Sequence, residues 1–215
     1  MSVNGEDEHD TAARREQLAV ALASVRERIA AACAEAGRDA AEVALLAVTK
    51  TFPASDVALL RDLGLSEFCE NRVQEAAGKV ADVTRLRPDA AARWHMVGRL
   101  QRNKARSVAG WAHQVHSVDS ARLVDVLDRA ALRAGETGER TGALDVLIQV
   151  SLDDRQGRGG CAPEDVLPLA EGVTRKSGLR LCGLMAVAPL GEPPEPAFAR
   201  LAVIAERLRG DHPDA

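Results

Sequence analysis

The chain has 215 residues, of which 46% are hydrophobic and 28% are charged, a composition typical of one globular domain with a sizeable core. Its 28 basic and 32 acidic residues give a net charge of -4, so no broad positive field is available to attract nucleic acid or anionic lipid. A small-molecule ligand is the better expectation, with neither nucleic acid nor a membrane as a partner.

The cysteines and the first residues of the chain indicate a cytoplasmic protein. The four cysteines are scattered without a C-x-x-C pair, so neither a structural zinc site nor a disulfide framework is indicated. The opening residues are acidic, unlike a secretion signal, and no apolar run has membrane-spanning length. We expect residues 1–11 to form a disordered acidic tail and residues 12–215 to form a single domain.

An amphipathic helix over residues 12–36 is the first predicted element, and Gly37 provides its stop signal. Its apolar residues recur at helical spacing among charged ones: Leu18, Leu22, Val25 and Ile29. The next segment, VALLAVTK at residues 43–50, is a short continuous apolar run, which predicts a strand buried on both faces. Ser55 is expected to cap the helix that follows, which runs through Leu63.

The pattern of an apolar strand followed by a helix then recurs along the chain. Further strands are predicted at EFCEN (67–71), RWHMVG (93–98), QVHSVD (114–119), DVLIQV (145–150) and LRLCGLMAV (179–187). The last helix is predicted at about residues 198–208. Six strands that alternate with helices predict βα units and a parallel sheet.

Periodicity leaves two architectures open, an open doubly wound sheet and most of an eight-stranded barrel. The sequence has no G-x-G-x-x-G after its first strand and no P-loop motif, so dinucleotide and nucleotide binding lose their usual support. In barrels, ligand sites lie at the carboxyl ends of the strands. Polar residues at those ends are therefore the candidates for a site.

Lys50 ends a strand that is otherwise apolar. We therefore expect it in a partly desolvated mouth, where the ammonium form is disfavoured. A lysine of this kind is a nucleophilic amine that is suited to an aldehyde. A lysine that only points to solvent is the alternative, and the position of Lys50 alone does not exclude it.

Asn71 ends the second strand and offers a donor and an acceptor to a ring hydroxyl or an imine, with Glu70 available to orient it. A loop-capping turn is an equally good interpretation of Asn71. His95 lies inside the third strand, where a packed, hydrogen-bonded histidine is favoured over an acid or a base. Cys69 has no histidine close to it in sequence, so a small buried hydrophobe is expected there.

Two further strand ends carry candidates. After the third strand come polar residues at a helix start, a position that favours anions: Gln101, Asn103 and Lys104. Met185 lies in the last predicted strand, near its carboxyl end. All of these candidates would meet at one rim if the strands formed a barrel.

Six segments occur in one order along the chain: AVTKTFPA, EFCENRVQEA, WHMVGRLQRNKA, VHSVDS, VLIQVS and GLMAV. Together they resemble the pyridoxal phosphate (PLP) homeostasis protein family, over about residues 12–208. Members of that family are similar to the N-terminal barrel domain of alanine racemase. The resemblance therefore implies an α/β fold, a TIM-like (β/α) barrel with an extra N-terminal helix.

In that family the lysine of strand one carries PLP as an internal aldimine, and the matching residue here is Lys50. The resemblance implies reversible PLP binding in intracellular PLP homeostasis without a defined catalytic reaction, with PLP-dependent apo-enzymes as candidate recipients. We expect Asn71, His95 and Met185 to complete the cofactor site, with no catalytic residue and no metal. A cytoplasmic monomer is expected.

The sequence departs from the family pattern in two places. Cys69 stands where the family usually has glycine in an F-G-E-N segment, which narrows the room beside the ring. Family chains also continue with seventh and eighth strands that hold the phosphate and face the pyridine nitrogen, and no counterpart precedes Ala215. We therefore expect a barrel truncated after six βα units, whose open edge strands promote aggregation and weaken PLP binding.

Three alternatives compete with this interpretation. An amino-acid racemase would need a tyrosine as its second base, and the sequence contains no tyrosine. A class I aldolase would use Lys50 directly on its substrate, but it lacks the support of the ordered segments. A structural or interaction module is opposed only by the family resemblance.

Overall fold

A computed structural model describes residues 3–89, 91–153 and 159–214. The helices and strands, in chain order, are α1 (Val3–Glu35), β1 (Ala47–Val48), α2 (Ala54–Asp62), β2 (Glu67–Glu70), α3 (Val73–Leu86), β3 (Arg93–Met96), α4 (Ala105–Trp111), β4 (Gln114–Val118), α5 (Ala121–Glu136), β5 (Leu144–Gln149), α6 (Val166–Thr174), β6 (Leu179–Met185) and α7 (Pro194–Asp211). Short 3-10 turns precede β1, α4 and α6. Every predicted strand is present, and a helix follows each one.

The strands form a six-stranded sheet in the order β1-β2-β3-β4-β5-β6, and the described pairings are parallel. Consecutive parallel strands with a helix between them are the βα units that the sequence predicted. The α/β class is therefore confirmed. No helix among the described residues combines the length and the apolar character needed to cross a membrane.

The chain divides into two compact units, Met1–Cys69 with Gly78–Arg93 and Glu70–Ala77 with Trp94–Ala215. In the first unit, β1 and β2 pair in register and the buried Phe68 of β2 is part of the core. The Arg14 guanidinium of α1 donates two hydrogen bonds to the Asp56 carboxylate of α2, at 3.1 and 2.6 Å. This two-bond geometry satisfies a carboxylate that is mostly buried.

Three predictions in the first unit differ from the structure. A strand buried on both faces was expected at residues 43–50, but β1 contains only Ala47–Val48 and Val48 is 50% exposed. The reason is that β1 lies at the edge of the described sheet, where β2 is its neighbour. Proline with its fixed φ suits a helix start, so α2 begins after Pro53, without a side-chain cap from Ser55. A disordered tail was expected at residues 1–11, but α1 begins at Val3, so residues 3–11 are helical. This stretch contains no proline that would end a helix.

The second unit contains the larger core. Strands β3 to β6 carry fully buried side chains such as Met96, Val115 and Ile148, and each contributes about 1.5–3 kcal/mol through burial. Helix α5 packs one apolar face on this core, through residues that recur at helical spacing: Leu123, Val124, Leu127, Ala131 and Ala134. The packed core therefore holds the carboxyl ends of β3 to β6 in defined positions.

Candidate functional site

Lys50 lies in a tight turn directly after β1. The buried Thr49 at the base of this turn donates its N–H to the Cys69 carbonyl of β2 at 3.0 Å, and its own carbonyl accepts the Phe52 N–H at 3.1 Å. Thr51 adopts a φ of 68°, in the left-handed region that β-branched residues rarely occupy. This conformation costs about 1–2 kcal/mol, so the surrounding contacts hold the turn against its local preference.

A second lysine fixes the base of the same turn. The Lys79 Nζ of α3 donates a hydrogen bond of 2.7 Å to the Thr49 carbonyl. Hydrogen bonds from a charged donor are stronger than those between neutral groups. The backbone that carries Lys50 is therefore held from both β2 and α3.

The structure corrects one expectation about Lys50 and confirms one about Cys69. Lys50 is exposed and does not lie in the partly desolvated mouth that the sequence predicted, because the two-residue β1 ends before it and the turn places it outside the strand. Cys69 is 2% exposed and carries a free thiol, as expected of a small buried hydrophobe. Lys50 is thus an accessible amine on a fixed backbone.

Asn71 lies in the second unit, directly after β2, against the backbone of Gly98. A Cβ atom at Gly98 would stand 2.2 Å from the Asn71 carbonyl oxygen, so only glycine permits this approach. Gly98 is fixed in turn, since its carbonyl accepts the Ser117 hydroxyl at 2.7 Å and the preceding Val97 N–H donates to the Glu70 carbonyl at 2.9 Å. The main chain of Asn71 therefore has one defined position.

The side chain of Asn71 does not cap its loop. Its Oδ1 atom is buried and has no hydrogen-bond partner within the described chain. A capping asparagine would accept a backbone N–H with this oxygen. A buried acceptor without a partner costs free energy, and a polar ligand that donates to it removes that cost.

His95 is a packed, hydrogen-bonded histidine. It is 4% exposed, and its Nδ1 lies 2.9 Å from the Nε2 of His116 on β4. The two rings meet edge to face with centroids 5.1 Å apart, and the Gln114 Oε1 lies within 3.1 Å of both nitrogens. The prediction that His95 is structural in character, neither acid nor base, agrees with these contacts.

His116 was not singled out from the sequence, although the signal was present. His95 is in register with Gln114, so the residue two positions later on β4 has its side chain on the same face of the sheet. Burial, and to a lesser degree the neighbouring charge of His95, lowers the pKa of His116 from 6.5 to about 4. His116 is therefore neutral near pH 7.

We expect acid to destabilise the fold through His116. Between pH 6.5 and about pH 4, His116 is protonated in the unfolded state but stays neutral in the folded state. The free energy of unfolding therefore falls as the pH is lowered through this window, by up to about 3 kcal/mol. Urea titrations between pH 7 and 4.5 measure this fall. His116→Gln should flatten the profile and His9→Gln should not, and an equal slope in wild type and His116→Gln would contradict the assignment.

Met185 closes β6. It pairs with Gln149 of β5, and its carbonyl accepts the Val150 N–H at 2.9 Å. Its side chain is half-buried. Of the four residues predicted from the sequence, Lys50 belongs to the first unit, whereas Asn71, His95 and Met185 belong to the second.

The second unit also has a cavity of about 1140 Å³ that we call the basic pocket. Its basic side chains come from the segments that follow β2, β3 and β4: Arg72, Arg99, Arg102, Lys104 and Arg122. The sequence pointed to Lys104 together with Gln101 and Asn103. It did not indicate the arginines, because their convergence depends on how the segments after β2, β3 and β4 pack together.

Residues 20–212 match the family defined by the alanine racemase N-terminal domain. The chain is 46% identical over 211 residues to the pyridoxal phosphate homeostasis protein of Mycobacterium tuberculosis strain H37Rv, which covers 94% of this chain and 82% of that protein. A protein from Bifidobacterium adolescentis, solved by crystallography, has the same fold, with 27% identity, a TM-score of 0.85 and coverage of 93% of this chain and 82% of that one. PipY of Synechococcus elongatus, solved with PLP bound, is 31% identical with a TM-score of 0.73 and coverage of 92% and 84%.

Proposed function

The chain belongs to the pyridoxal phosphate homeostasis protein family, and from this premise we propose that it binds PLP covalently through Lys50 and serves PLP homeostasis. The likeness to a relative solved with PLP extends over 92% of this chain, which supports the same ligand here. From the family resemblance we infer attachment at the lysine after strand one. That residue is Lys50.

The exposed amine of Lys50, on a backbone that is held in place, is the observation that carries the proposal. PLP supplies an aldehyde, which condenses with a primary amine to form a C=N bond with loss of one water. Within the first unit, Lys50 offers a primary amine on a defined backbone; within the second, Asn71 offers a buried acceptor without a described partner. Each of these groups suits a polar aldehyde ligand. We propose on the resemblance that Asn71, His95 and Met185 also contact the cofactor.

We further propose that the chain is a non-catalytic binder. The sequence contains no tyrosine, and the one histidine predicted near the cofactor is engaged with His116. Neither feature favours the two-base chemistry of a racemase. The proposal extends to a cytoplasmic monomer that exchanges PLP with PLP-dependent apo-enzymes.

A visible absorption spectrum tests the proposed function. The full chain is mixed with PLP, freed of unbound cofactor by gel filtration and scanned before and after borohydride reduction. A violet-region band that elutes with the protein and disappears on reduction is expected. A chain that elutes without this band would rule out PLP attachment and favour a Schiff-base enzyme that acts directly on its substrate, or an interaction module.

Replacing Asn71 by alanine should weaken PLP binding about fivefold without destabilising the chain. The loss corresponds to one hydrogen bond, about 1 kcal/mol, whereas removing an unpaired buried acceptor leaves the melting temperature unchanged or slightly raised. Equilibrium titration with PLP and thermal melting of the free chain measure the two effects. Ser107→Ala, at an exposed position of α4 that is not in the lining of the pocket beside Asn71, serves as the control that keeps wild-type affinity. A lower melting temperature with unchanged affinity would instead make Asn71 a loop-capping residue.

A further inference from the structure

The basic pocket carries positive charge that nearby acids do not balance. Five basic side chains line it, and Asp119 is the one acidic residue in its described lining. Arg72 is paired with Glu75 at 3.0 Å. The side chains of the other four cations form no hydrogen bond or ion pair with the described part of the chain: Arg99, Arg102, Lys104 and Arg122.

This concentration of charge is local, since the chain as a whole has a net charge of -4. Like charges that line one cavity repel one another, and a concave wall strengthens the field inside it. The repulsion is relieved when an anion enters. An unbalanced cationic pocket on an acidic chain therefore indicates a specific anionic ligand and argues against a general affinity for polyanions.

The backbone that carries these cations is fixed before any ligand arrives. Gly98, next to Arg99, is held by the Ser117 hydroxyl and by the close approach of Asn71. The Lys104 N–H donates to the Gln101 carbonyl at 2.9 Å, which closes the turn that contains Arg102. Buried apolar residues form the base of the pocket: Val73, Met96, Leu100 and Leu123. Binding therefore has to order the side chains of the cations but not the backbone that carries them.

The lining also limits the ligand class. No aromatic side chain lines the described pocket, so it offers no surface on which a nucleobase can stack. A phosphate group carries a charge of about -1.5 to -2, and the guanidinium fork matches its geometry. The four unpaired cations and Asp119 together carry a net charge of about +3, which two phosphate groups balance and one does not. We propose that the basic pocket binds a compact small-molecule anion with at least two phosphate groups.

The four unpaired cations are distinct from the residues proposed to contact PLP, although Asn71, one of those residues, also lines the basic pocket. The PLP proposal concerns the amine of Lys50, whereas the pocket proposal concerns these cations. The two proposals can therefore fail independently.

Isothermal titration of the PLP-loaded full chain with pyrophosphate tests the pocket. Wild type should bind it, and added salt should weaken the binding. The double variant Arg102→Gln and Arg122→Gln removes one cation from the 3-10 turn after β3 and one from the first turn of α5. It should bind about tenfold more weakly or worse, because charge-assisted contacts are lost. The matched control Arg85→Gln and Arg175→Gln removes two exposed arginines outside the pocket and should bind as wild type does.

Three results would overturn the proposal: no binding to wild type at low salt, equal binding by the pocket variant, or orthophosphate binding as tightly as pyrophosphate. Displacement of PLP by pyrophosphate would also overturn it, since the pocket would then be the phosphate site of PLP itself. The Lys50→Ala chain should bind pyrophosphate with wild-type affinity. Melting curves of the pocket variant that match wild type show that the loss is local.

Discussion

Replacement of Lys50 by alanine is expected to abolish covalent PLP attachment while the chain remains folded. The sequence has four lysines, and two are engaged, Lys79 with the Thr49 carbonyl and Lys176 with the Asp125 carboxylate at 2.7 Å. Lys50 is exposed, so its truncation should change the free energy of unfolding by no more than about 0.5 kcal/mol. Absorbance after gel filtration measures the loss.

Two controls make the Lys50 result specific. Lys50→Arg keeps the positive charge but has no primary amine, so it should also lose the absorption band, whereas Lys176→Ala should keep it. Mass spectrometry of the borohydride-reduced wild type should place the pyridoxyl group on the peptide that contains Lys50. A pyridoxyl group on Lys104, in the basic pocket, would show that the assignment to Lys50 is wrong.

Replacement of Gly98 by alanine is expected to destabilise the chain by about 3 kcal/mol. The added Cβ atom would lie 2.2 Å from the carbonyl oxygen and 2.8 Å from the Cα of Asn71, and both atoms belong to backbone that cannot rotate away. Adding a methyl group where there is no room for it costs about 1–3 kcal/mol of stability. We expect a cost near the upper end of this range, about 3 kcal/mol, because the clash is with backbone atoms and not with a side chain that could move. Urea denaturation measures the change.

Gly78→Ala is the matched control for Gly98. Gly78 lies inside α3 with no atom within 4 Å of its added Cβ, so alanine there should raise stability by about 0.5–1 kcal/mol. The two substitutions should therefore shift the urea midpoint in opposite directions. If Gly98→Ala melted like wild type, the backbone of Asn71 would not be fixed as described.

The βα pattern could be predicted from sequence because it is local. The strand predicted at 67–71 is observed at Glu67–Glu70, and the one predicted at 114–119 at Gln114–Val118. Apolar runs and the spacing of helical faces determine such elements within a few residues. The prediction for residues 43–50 was poorer, because the burial of a strand depends on how many neighbours it has, which no local pattern specifies.

The candidate site was predictable only in part. Lys50 and Asn71 were proposed from the sequence because each follows a predicted strand, and in barrels ligand sites lie at the carboxyl ends of strands. The partnership of His95 with His116 and the approach of Gly98 to Asn71 join residues 21 and 27 positions apart. Such contacts arise when strands pair, so the buried state of a histidine and the need for a glycine could not be read from either segment alone.

The left-handed backbone of Thr51 has a consequence for laboratory evolution. Glycine and asparagine adopt this conformation with less strain than threonine, so a selection for heat resistance alone would enrich them at position 51. Glycine would also widen the conformations open to the unfolded chain and to the neighbouring lysine. Variants that survive such a selection should be screened again for PLP binding. Relief of strain at position 51 favours heat resistance, whereas a less restricted backbone there leaves the neighbouring lysine less well ordered.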